Sequence, residues 1–268
     1  MNSITLAKNI RLHALKMVNA GGSSHIGSVL SIADILAVLY ANILKINPSC
    51  PGDTERDRFI LSKGHAGAGV YAVLAELGFF EKKYLLDHCK DGSNMSGHVS
   101  HKLIPGVEFS TGSLGHGLPV GCGISYASKI NTDSSRTYVL LSDGELGEGS
   151  NWEAFLFAGH HKLNNLTAII DRNKLQSMKS TEETLALEPL AEKLSAFNWR
   201  VIEVDGHSHR ELRSTLQDWH ADKPTVLIAN TTKGKGVSFM ENSVSWHYKT
   251  PMGVDFETAI NDIESSQS

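Results

Sequence analysis

The sequence is poor in cysteine and lacks long apolar runs, and both features narrow the class of protein. Its three cysteines, Cys50, Cys89 and Cys122, are scattered and have no CxxC spacing. This pattern predicts thiols without a structural role and a reducing cytoplasm. No apolar run approaches the roughly 18 residues of a membrane span, and residues 1–20 mix charged with apolar positions, unlike a signal peptide. We therefore predict a cytoplasmic protein without a membrane partner.

The sequence also lacks an excess of positive charge, internal repeats and low-complexity linkers. Its net charge of −4 provides no basic field, which argues against a nucleic-acid partner. A chain of 268 residues could form one large domain or two small ones. Because no clear boundary interrupts the sequence, we predict a single domain over residues 1–268. Only the tail, about residues 256–268, is expected to be flexible.

Continuous apolar strands alternate with helical patterns through most of the chain. Strands are predicted at 137–142, 166–171, 199–204 and 225–231, with helices between them. Near the N-terminus, a helix is predicted over 4–20, and a second one, capped by Ser31-Ile32-Ala33-Asp34, runs to about Leu44. This order predicts an α/β fold with a doubly wound, mostly parallel sheet and helices on both faces.

Two of the predicted strands end in oxygen-bearing side chains. Asp143 follows "YVLLS", and Asn173, thirty residues on, follows "TAIIDR". If the strands are neighbours, both side chains reach the crevice at their carboxyl ends, where open sheets bind ligands. One carboxylate and one amide oxygen suit Mg²⁺ or Ca²⁺, which could hold an anion at this acidic turn. The alternative is a helix-entry turn at Asp143 and a cap at Asn173.

Histidine is unusually frequent, with thirteen residues, and five of these lie in glycine- or serine-rich loops. Neutral imidazoles suit a site that moves protons on and off hydroxyl groups near neutral pH. For any single one, a surface position is the alternative. The pairs His160-His161 and His207/His209 look structural or solvated. The five loop histidines are His25, His65, His98, His116 and His247.

The segment 230–251 follows the last predicted strand and carries Lys233 and Lys235 between glycines. One interpretation is a solvated loop. The other is a lid with His247 at its tip, covering the phosphate of a cofactor.

Six ordered motifs resemble those of the transketolase family of thiamine-diphosphate enzymes over nearly the whole chain. They are "AGGSSHIG", "DRFILSKGHA", "GVEFSTGSLGHG", "SDGELGEGSNWEA", "DRNKLQS" and "KGKGVSF…WHYKTP". Asp143-Gly144 with Asn173 matches the GDG…N motif through which that family binds Mg²⁺. The resemblance implies the thiamine-diphosphate-binding fold, as its diphosphate-binding domain.

The resemblance also implies roles for individual residues. Asp143, Asn173 and the carbonyl of Leu175 would bind Mg²⁺, for which Ca²⁺ or Mn²⁺ could substitute. Thiamine diphosphate would contact His65, Gly112, Ser113, Leu114, Gly144, Glu145, Asn173 and His247. Four histidines (His25, His65, His98 and His247) would surround the ketose donor, with His116 as a further candidate for proton transfer. Glu148 matches a carboxylate at the subunit interface.

Full transketolases have three domains, and this chain matches only the first. The resemblance therefore implies the N-terminal subunit of a split transketolase, inactive until a C-terminal subunit supplies the pyrimidine-binding domain, in an α2β2 heterotetramer. Such an enzyme transfers a two-carbon ketol unit from a ketose to an aldose. The open alternatives are another thiamine-diphosphate enzyme, namely a synthase that uses 2-oxo acids, and a non-catalytic regulatory subunit.

Several positions near the expected donor site depart from the family pattern. Ser142 replaces the first glycine of GDG, His116 stands where glutamine is usual, and Tyr248 stands where glycine is usual. Val99 and Ser100 break the usual "GHPE" form. These departures leave open a sugar or sugar-phosphate substrate outside the ordinary pentose phosphates, such as a modified or branched sugar.

Overall fold

Five parallel strands form the sheet at the centre of the computed structural model, which describes residues 2–266. The spatial order is β1-β2-β3-β5-β4. The strands are β1 Arg58–Leu61, β2 Thr137–Ser142, β3 Leu166–Arg172, β4 Arg200–Asp205 and β5 Thr225–Asn230. Every residue of β2 and β3 is buried, which explains their continuous apolar sequences. The predicted parallel sheet is confirmed.

Helices cover both faces of this sheet. They are α1 Ser3–Gly21, α2 Ile26–Val38, α3 Gly67–Glu76, α4 Gly117–Asn131, α5 Gly149–His160, α6 Thr181–Thr184, α7 Leu190–Ala196, α8 His209–Gln217 and α9 Val254–Ser265. Residues of α1, α2, α3, α8 and α9 share one core with Leu140 and Ile169 of the sheet. Residues of α4, α5 and α7 share the other core with Val139 and Ile170. Adjacent strand residues thus enter opposite cores, as a doubly wound sheet requires.

Helix α2 begins five residues earlier than the predicted cap at Ser31, directly after His25, whose φ is 73°. All thirteen of its residues are buried. Ser31 and Asp34 do not cap the helix: their side chains bind Asp171 and Arg11 in neighbouring elements. Polar residues that resembled a helix start therefore lie inside a helix and serve tertiary contacts.

Helix α2 continues into a helical turn, Leu39–Ile43, and the two together correct the prediction about apolar runs. The segment Ile26–Ile43 has 18 residues and a mean hydropathy of 1.8, so by length and composition it could cross a membrane. However, 83% of it is buried inside the protein. A core helix passes the same composition test, so the segment is weak evidence for a membrane span.

The structure has a helix as far as Ser265 where we predicted a flexible tail. Helix α9 packs against α1, and its Ala259 and Ile263 are buried. The four-residue spacing of these two positions places them on one face of the helix, which explains why a short segment docks. Residues 267–268 of the predicted tail lie outside the described part of the chain.

Candidate functional site

The two predicted oxygen ligands lie at the carboxyl ends of adjacent strands, because β2 pairs directly with β3. The Asp143 carboxylate is fully buried and accepts hydrogen bonds from three donors. Its Oδ1 accepts from the N–H of Gly144 at 2.8 Å. Its Oδ2 accepts from the N–H of Lys174 at 2.6 Å and from Arg172 Nη1 at 3.2 Å. These contacts fix the carboxylate at the crevice edge.

These hydrogen bonds nevertheless do not fully offset the cost of burying the negative charge of Asp143. Its pKa is raised to about 6, first by burial and then by the negative charge of Asp171; the N–H of Lys174 and the Arg172 guanidinium oppose this rise. A buried carboxylate with a raised pKa is one that a further cation would stabilise.

Asn173 and Leu175 lie on the segment that follows β3. Asn173 Oδ1 accepts from the N–H of Leu175 at 3.1 Å, and its Nδ2 donates to Asp171 Oδ2 at 2.9 Å. The Leu175 carbonyl accepts from Lys233 Nζ at 3.3 Å. The structure thus brings the three predicted metal ligands to one edge of the sheet. Their assignment to Mg²⁺ stays a prediction.

A buried ion pair, absent from our predictions, lies beside this edge. Lys63 Nζ donates to Asp171 Oδ2 at 2.5 Å, and both side chains are at most 1% exposed. Asp171 also accepts from the hydroxyl groups of Ser31 and Thr231. These donors lower the pKa of Asp171 despite its burial. The "SKGH" sequence places Lys63 two residues before His65, but nothing in the sequence identifies its partner.

Lys233 is a second buried ammonium, and only 2% of its surface is exposed. Its Nζ donates to the Gln176 carbonyl at 3.1 Å and lies 3.0 Å from His247 Nδ1, in addition to the Leu175 contact. Burial, and then the charge of Lys63, lowers the pKa of Lys233 to about 8. Within residues 2–266 no carboxylate forms a salt bridge with it. The interpretation of this lysine as part of a solvated loop is therefore wrong.

Four of the five loop histidines form one cluster. The ring of His25 lies 5.1 Å from that of His65, 5.6 Å from that of His98 and 4.9 Å from that of His247. Burial lowers the pKa of His25 to about 4 and that of His247 to about 3, and it holds the pKa of His65 well below its usual range. These three rings are therefore neutral at physiological pH, and a neutral ring can donate a hydrogen bond from one nitrogen and accept one at the other.

His116 lies apart from the histidine cluster. Its side chain is exposed, and Nδ1 is 3.1 Å from the carbonyl oxygens of both Ser113 and Leu114. Nδ1 must therefore carry the proton and donate, because carbonyl oxygens only accept. His116 thus closes its own loop, and its predicted role in proton transfer stays a prediction.

The Glu145 side chain is buried, and its hydrogen bonds go to neighbouring groups of the protein. The buried carboxylate accepts from the Ser62 hydroxyl, from Gly115 N at 2.9 Å and from Ser142 N at 3.2 Å. It therefore ties the loop before α4 to the end of β2. The predicted contact of Glu145 with the cofactor stays a prediction, while its hydrogen bonds show how it positions that loop.

The remaining predicted residues surround the same region. Gly112 lies next to the His98 ring, and a Cβ placed on Gly115 would come within 2.7 Å of Glu148 Cβ. Gly112, Ser113 and Glu148 are exposed, whereas Leu114 is half-buried. The predicted interface residue Glu148 therefore lies at the surface, one residue before α5.

A cleft of about 200 Å³ joins the strand ends to the histidine cluster. A Cβ at Gly144 would lie 2.8 Å from Gln176 Cγ, so a side chain at this position would crowd the cleft wall. The floor is cationic and the rim carries imidazoles. Residues lining the cleft include Ser28, Lys63, His65, Leu114, Gly144, Asn173, Leu175, Gln176, Lys233, His247 and Tyr248.

Comparison with known proteins decides the family. Residues 3–260 match the family described as "Transketolase, thiamine diphosphate binding domain". The chain belongs to the transketolase family. The family resemblance and the α/β fold that it implied are both confirmed.

Two relatives are similar to this chain over nearly their whole length. One is an apulose-4-phosphate transketolase subunit of Phocaeicola vulgatus, 40% identical over 94% of this chain and 90% of the relative. Another is a 6-deoxy-6-sulfo-D-fructose transketolase subunit of Clostridium sp., 37% identical over 96% of this chain and 94% of the relative. The chain thus has the length of a transketolase subunit.

A solved transketolase, that of Leishmania mexicana, superposes with a TM-score of 0.90 at 30% identity. The match covers 100% of this chain but 42% of the Leishmania protein. This chain therefore corresponds to one part of a transketolase that is a single longer polypeptide in that organism.

Proposed function

We propose that this transketolase-family chain is the diphosphate-binding half of a two-component enzyme that transfers a two-carbon ketol unit between sugars. The convergence of Asp143, Asn173 and two buried lysines with the histidine cluster carries this proposal. Candidate metal ligands, two buried ammonium groups and neutral imidazoles thereby lie at the same end of the sheet. That combination suits a diphosphate cofactor and a polyhydroxylated substrate.

Thiamine diphosphate with Mg²⁺ fits the residues present. Lys233 is a buried cation without a carboxylate partner within residues 2–266, and a diphosphate would supply the missing negative charge. Asp143, Asn173 and the Leu175 carbonyl offer the oxygen ligands that Mg²⁺, Ca²⁺ or Mn²⁺ prefers. Gly144 lines the cleft without a side chain, beside Gln176. When bound, the thiamine ring supplies the carbanion stabilisation that ketol transfer needs.

The chain's own residues orient the substrate and manage protons. His65 and His247 line the cleft, and His25 and His98 complete the histidine cluster beside them, where the four rings would hydrogen-bond the donor's hydroxyl groups. Because burial keeps three of them neutral, each of these rings offers one nitrogen that accepts and one that donates a hydrogen bond. Tyr248, 4.7 Å from the His247 ring, would narrow the entrance.

A partner subunit would complete this site. We propose a C-terminal subunit with the pyrimidine-binding domain, assembled as an α2β2 heterotetramer, with Glu148 at a contact between chains. Both relatives of similar length are named as subunits, which supports a partner, and the three free cysteines suit a cytoplasmic location.

The direct test is to co-express the chain with a C-terminal transketolase subunit, then to measure ketol transfer against added thiamine diphosphate and Mg²⁺. We expect cofactor-dependent activity from the complex and none from either chain alone. Activity of this chain alone would contradict the need for a partner. Unchanged activity of an Asp143→Ala complex would contradict the metal assignment.

The two alternatives receive less support. A synthase using 2-oxo acids would have little use for four histidines around a hydroxylated donor, and a non-catalytic subunit would not need the buried cations of a diphosphate site. Offering the assembled complex both a 2-oxo acid and a ketose donor separates these functions: turnover of the 2-oxo acid alone would favour the synthase.

The donor could be a modified or branched sugar. Two relatives of subunit length are named for apulose 4-phosphate and 6-deoxy-6-sulfo-D-fructose, and this chain departs from the usual pattern at His116 and Tyr248. A panel of ordinary and modified sugars, with His116→Gln and Tyr248→Gly complexes beside the wild type, tests this. Equal donor preference in all three complexes would remove these positions as specificity determinants.

A further inference from the structure

The turn that carries Lys233, residues 232–235, is linked at both of its ends to the carboxylate of Asp34 in α2, through one intermediate side chain at each end. At the first end, the N–H of Thr232 donates to His207 Nε2 at 2.9 Å. The other ring nitrogen, Nδ1, lies 2.7 Å from Asp34 Oδ2. Since Nε2 accepts, Nδ1 must carry the proton and donate to Asp34. The imidazole therefore links the turn to α2.

The second end of the turn reaches the same carboxylate by another route. The Lys235 carbonyl accepts from Arg11 Nε at 3.2 Å. The two terminal nitrogens of Arg11 bind both oxygens of Asp34, at 3.0 and 2.6 Å. The pair is nearly buried, with side chains 7% and 8% exposed. Such a bidentate pair has a defined geometry, so it fixes the position of the Lys235 carbonyl.

Between these two attachments, the turn projects Lys233 into the cofactor cleft. Gly234, at φ 82°, donates its N–H to the Gly27 carbonyl at 3.0 Å, which adds a third attachment to α2. The side chain of Lys235 takes the other direction, and its Nζ lies 3.5 Å from Glu241. Of the two lysines in this turn, only Lys233 enters the cleft, so the path of the backbone determines where its ammonium lies.

We propose that Asp34 is a positioning residue for Lys233, acting through His207 at one end of the turn and Arg11 at the other. The inference rests on the proposed function, in which Lys233 binds a diphosphate. Asp34 and His207 touch no substrate. They reduce the number of positions the turn can occupy, so the Lys233 ammonium is in place before the anion arrives.

His209 provides a matched control for His207. Its Nε2 lies 3.1 Å from Asp34 Oδ1, but its Nδ1 lies 2.8 Å from the Ser3 hydroxyl rather than from the turn. His207→Ala and His209→Ala thus remove the same ring and one bond to the same carboxylate. Only the first also removes the support of Thr232.

The first experiment labels the full-length chain with a small amine-reactive reagent and follows each lysine by peptide mass spectrometry. In His207→Ala, labelling of Lys233 should accelerate about fivefold, the change in local opening expected for one lost hydrogen bond. His209→Ala should leave it within about twofold. His207→Gln, which can both donate and accept, should restore much of the wild-type protection. Lys63, which is also buried, serves as the internal control.

The proposal is overturned if Lys233 reacts equally fast in the His207→Ala and His209→Ala chains. It is also overturned if Lys63 accelerates together with Lys233, because general loosening would then explain the result. No cofactor takes part in this measurement, so its outcome is independent of the proposed function.

The second experiment measures binding of inorganic pyrophosphate with Mg²⁺ by calorimetry. His207→Ala should weaken binding about fivefold in the wild-type background and hardly at all in a Lys233→Met background. Equal weakening in both backgrounds would show that His207 does not act through Lys233, and would overturn the proposal. If labelling behaves as expected but neither the wild-type chain nor its complex with the C-terminal subunit binds pyrophosphate, the positioning role stands and the proposed function is contradicted.

Discussion

Two carboxylates at the same edge of the sheet have opposite electrostatic environments. Asp171 and Asp143 are both fully buried at the ends of paired strands. Asp171 receives a lysine and two hydroxyl groups, and its pKa falls. Asp143 receives two backbone N–H groups and one shared arginine, and its pKa rises to about 6. Burial is equal, so the difference lies in the donors and in the negative charge of Asp171, which raises the pKa of Asp143 further.

This difference separates a structural charge from one suited to bind a ligand. Asp171 has its cation within the fold, and the Lys63 pair connects β3 to the loop after β1. The guanidinium that reaches Asp143 is also bound by Glu182 and Glu188, so its charge is divided among three carboxylates. A divalent cation would supply the positive charge that Asp143 lacks. Asp171 already has such a charge from Lys63.

The largest expected effect follows from breaking the compensated pair. Asp171→Asn should lower the free energy of unfolding by about 3–5 kcal/mol, because it leaves the Lys63 ammonium buried without a counter-charge. Asp143→Asn should change it by no more than about 1 kcal/mol, since Arg172 keeps its other partners. Urea denaturation of the cofactor-free chains measures both. Similar losses in the two variants would remove the contrast between the carboxylates.

Added ligand should reveal the contribution of Asp143. With thiamine diphosphate and Mg²⁺ at about 100 times the dissociation constant, the wild-type chain or its complex should gain about 2.7 kcal/mol of stability. Asp143→Asn should abolish most of that gain. Asp218→Asn, at an exposed ion pair with Arg200, is the matched control and should retain it. A full gain in the Asp143→Asn protein would exclude Asp143 as a metal ligand.

A double-mutant cycle sharpens the account of Asp171. Lys63→Met and Asp171→Asn should each destabilise the chain, but together they should cost about 1–3 kcal/mol less than the sum, because neither variant partner then remains as an unpaired buried charge. Denaturation of the four proteins gives the coupling. Additive losses would mean that Lys63 and Asp171 contribute independently.

Asp34 extends the comparison to a third buried carboxylate, and the expected effect is smaller. Arg11, His207 and His209 hold its pKa well below the usual range although burial opposes this. A lowered pKa contributes stability that is present above the unfolded-state value, about 4, and is lost as the pH falls further. Asp34→Asn should therefore have a flatter acid limb in a plot of unfolding free energy against pH. An unchanged acid limb would contradict this compensation.

Much of the architecture could be predicted because it follows from patterns a few residues long. Continuous apolar strands such as "YVLLS" and "TAIID" indicated a parallel sheet, and their last residues placed Asp143 and Asn173 at one edge. Glycine-flanked histidines indicated loops. Such features depend on local sequence and on the general rule that ligands bind at the carboxyl ends of strands.

Other parts could not be predicted because they depend on pairs that are distant in sequence. Lys63 and Asp171 are 108 residues apart, and Asp34 is 173 residues from His207. Each residue alone resembles a surface charge or a helix cap, as Ser31 and Asp34 did. His207 looked structural or solvated, and only the fold reveals that it joins Asp34 to the Lys233 turn.

Helix α2 brings its polar groups to neighbouring elements at regular intervals. His25 precedes it; the Ser28 carbonyl lies 3.3 Å from Lys63 Nζ, the Ser31 hydroxyl 2.7 Å from Asp171, and Asp34 holds the turn of Lys233. Successive members are three positions apart, nearly one helical turn. Inserting or deleting one residue within the helix would rotate everything beyond it by about 100° and misalign several contacts together. A change in the length of α2 should therefore disturb this edge of the sheet more broadly than a substitution at any one of these positions.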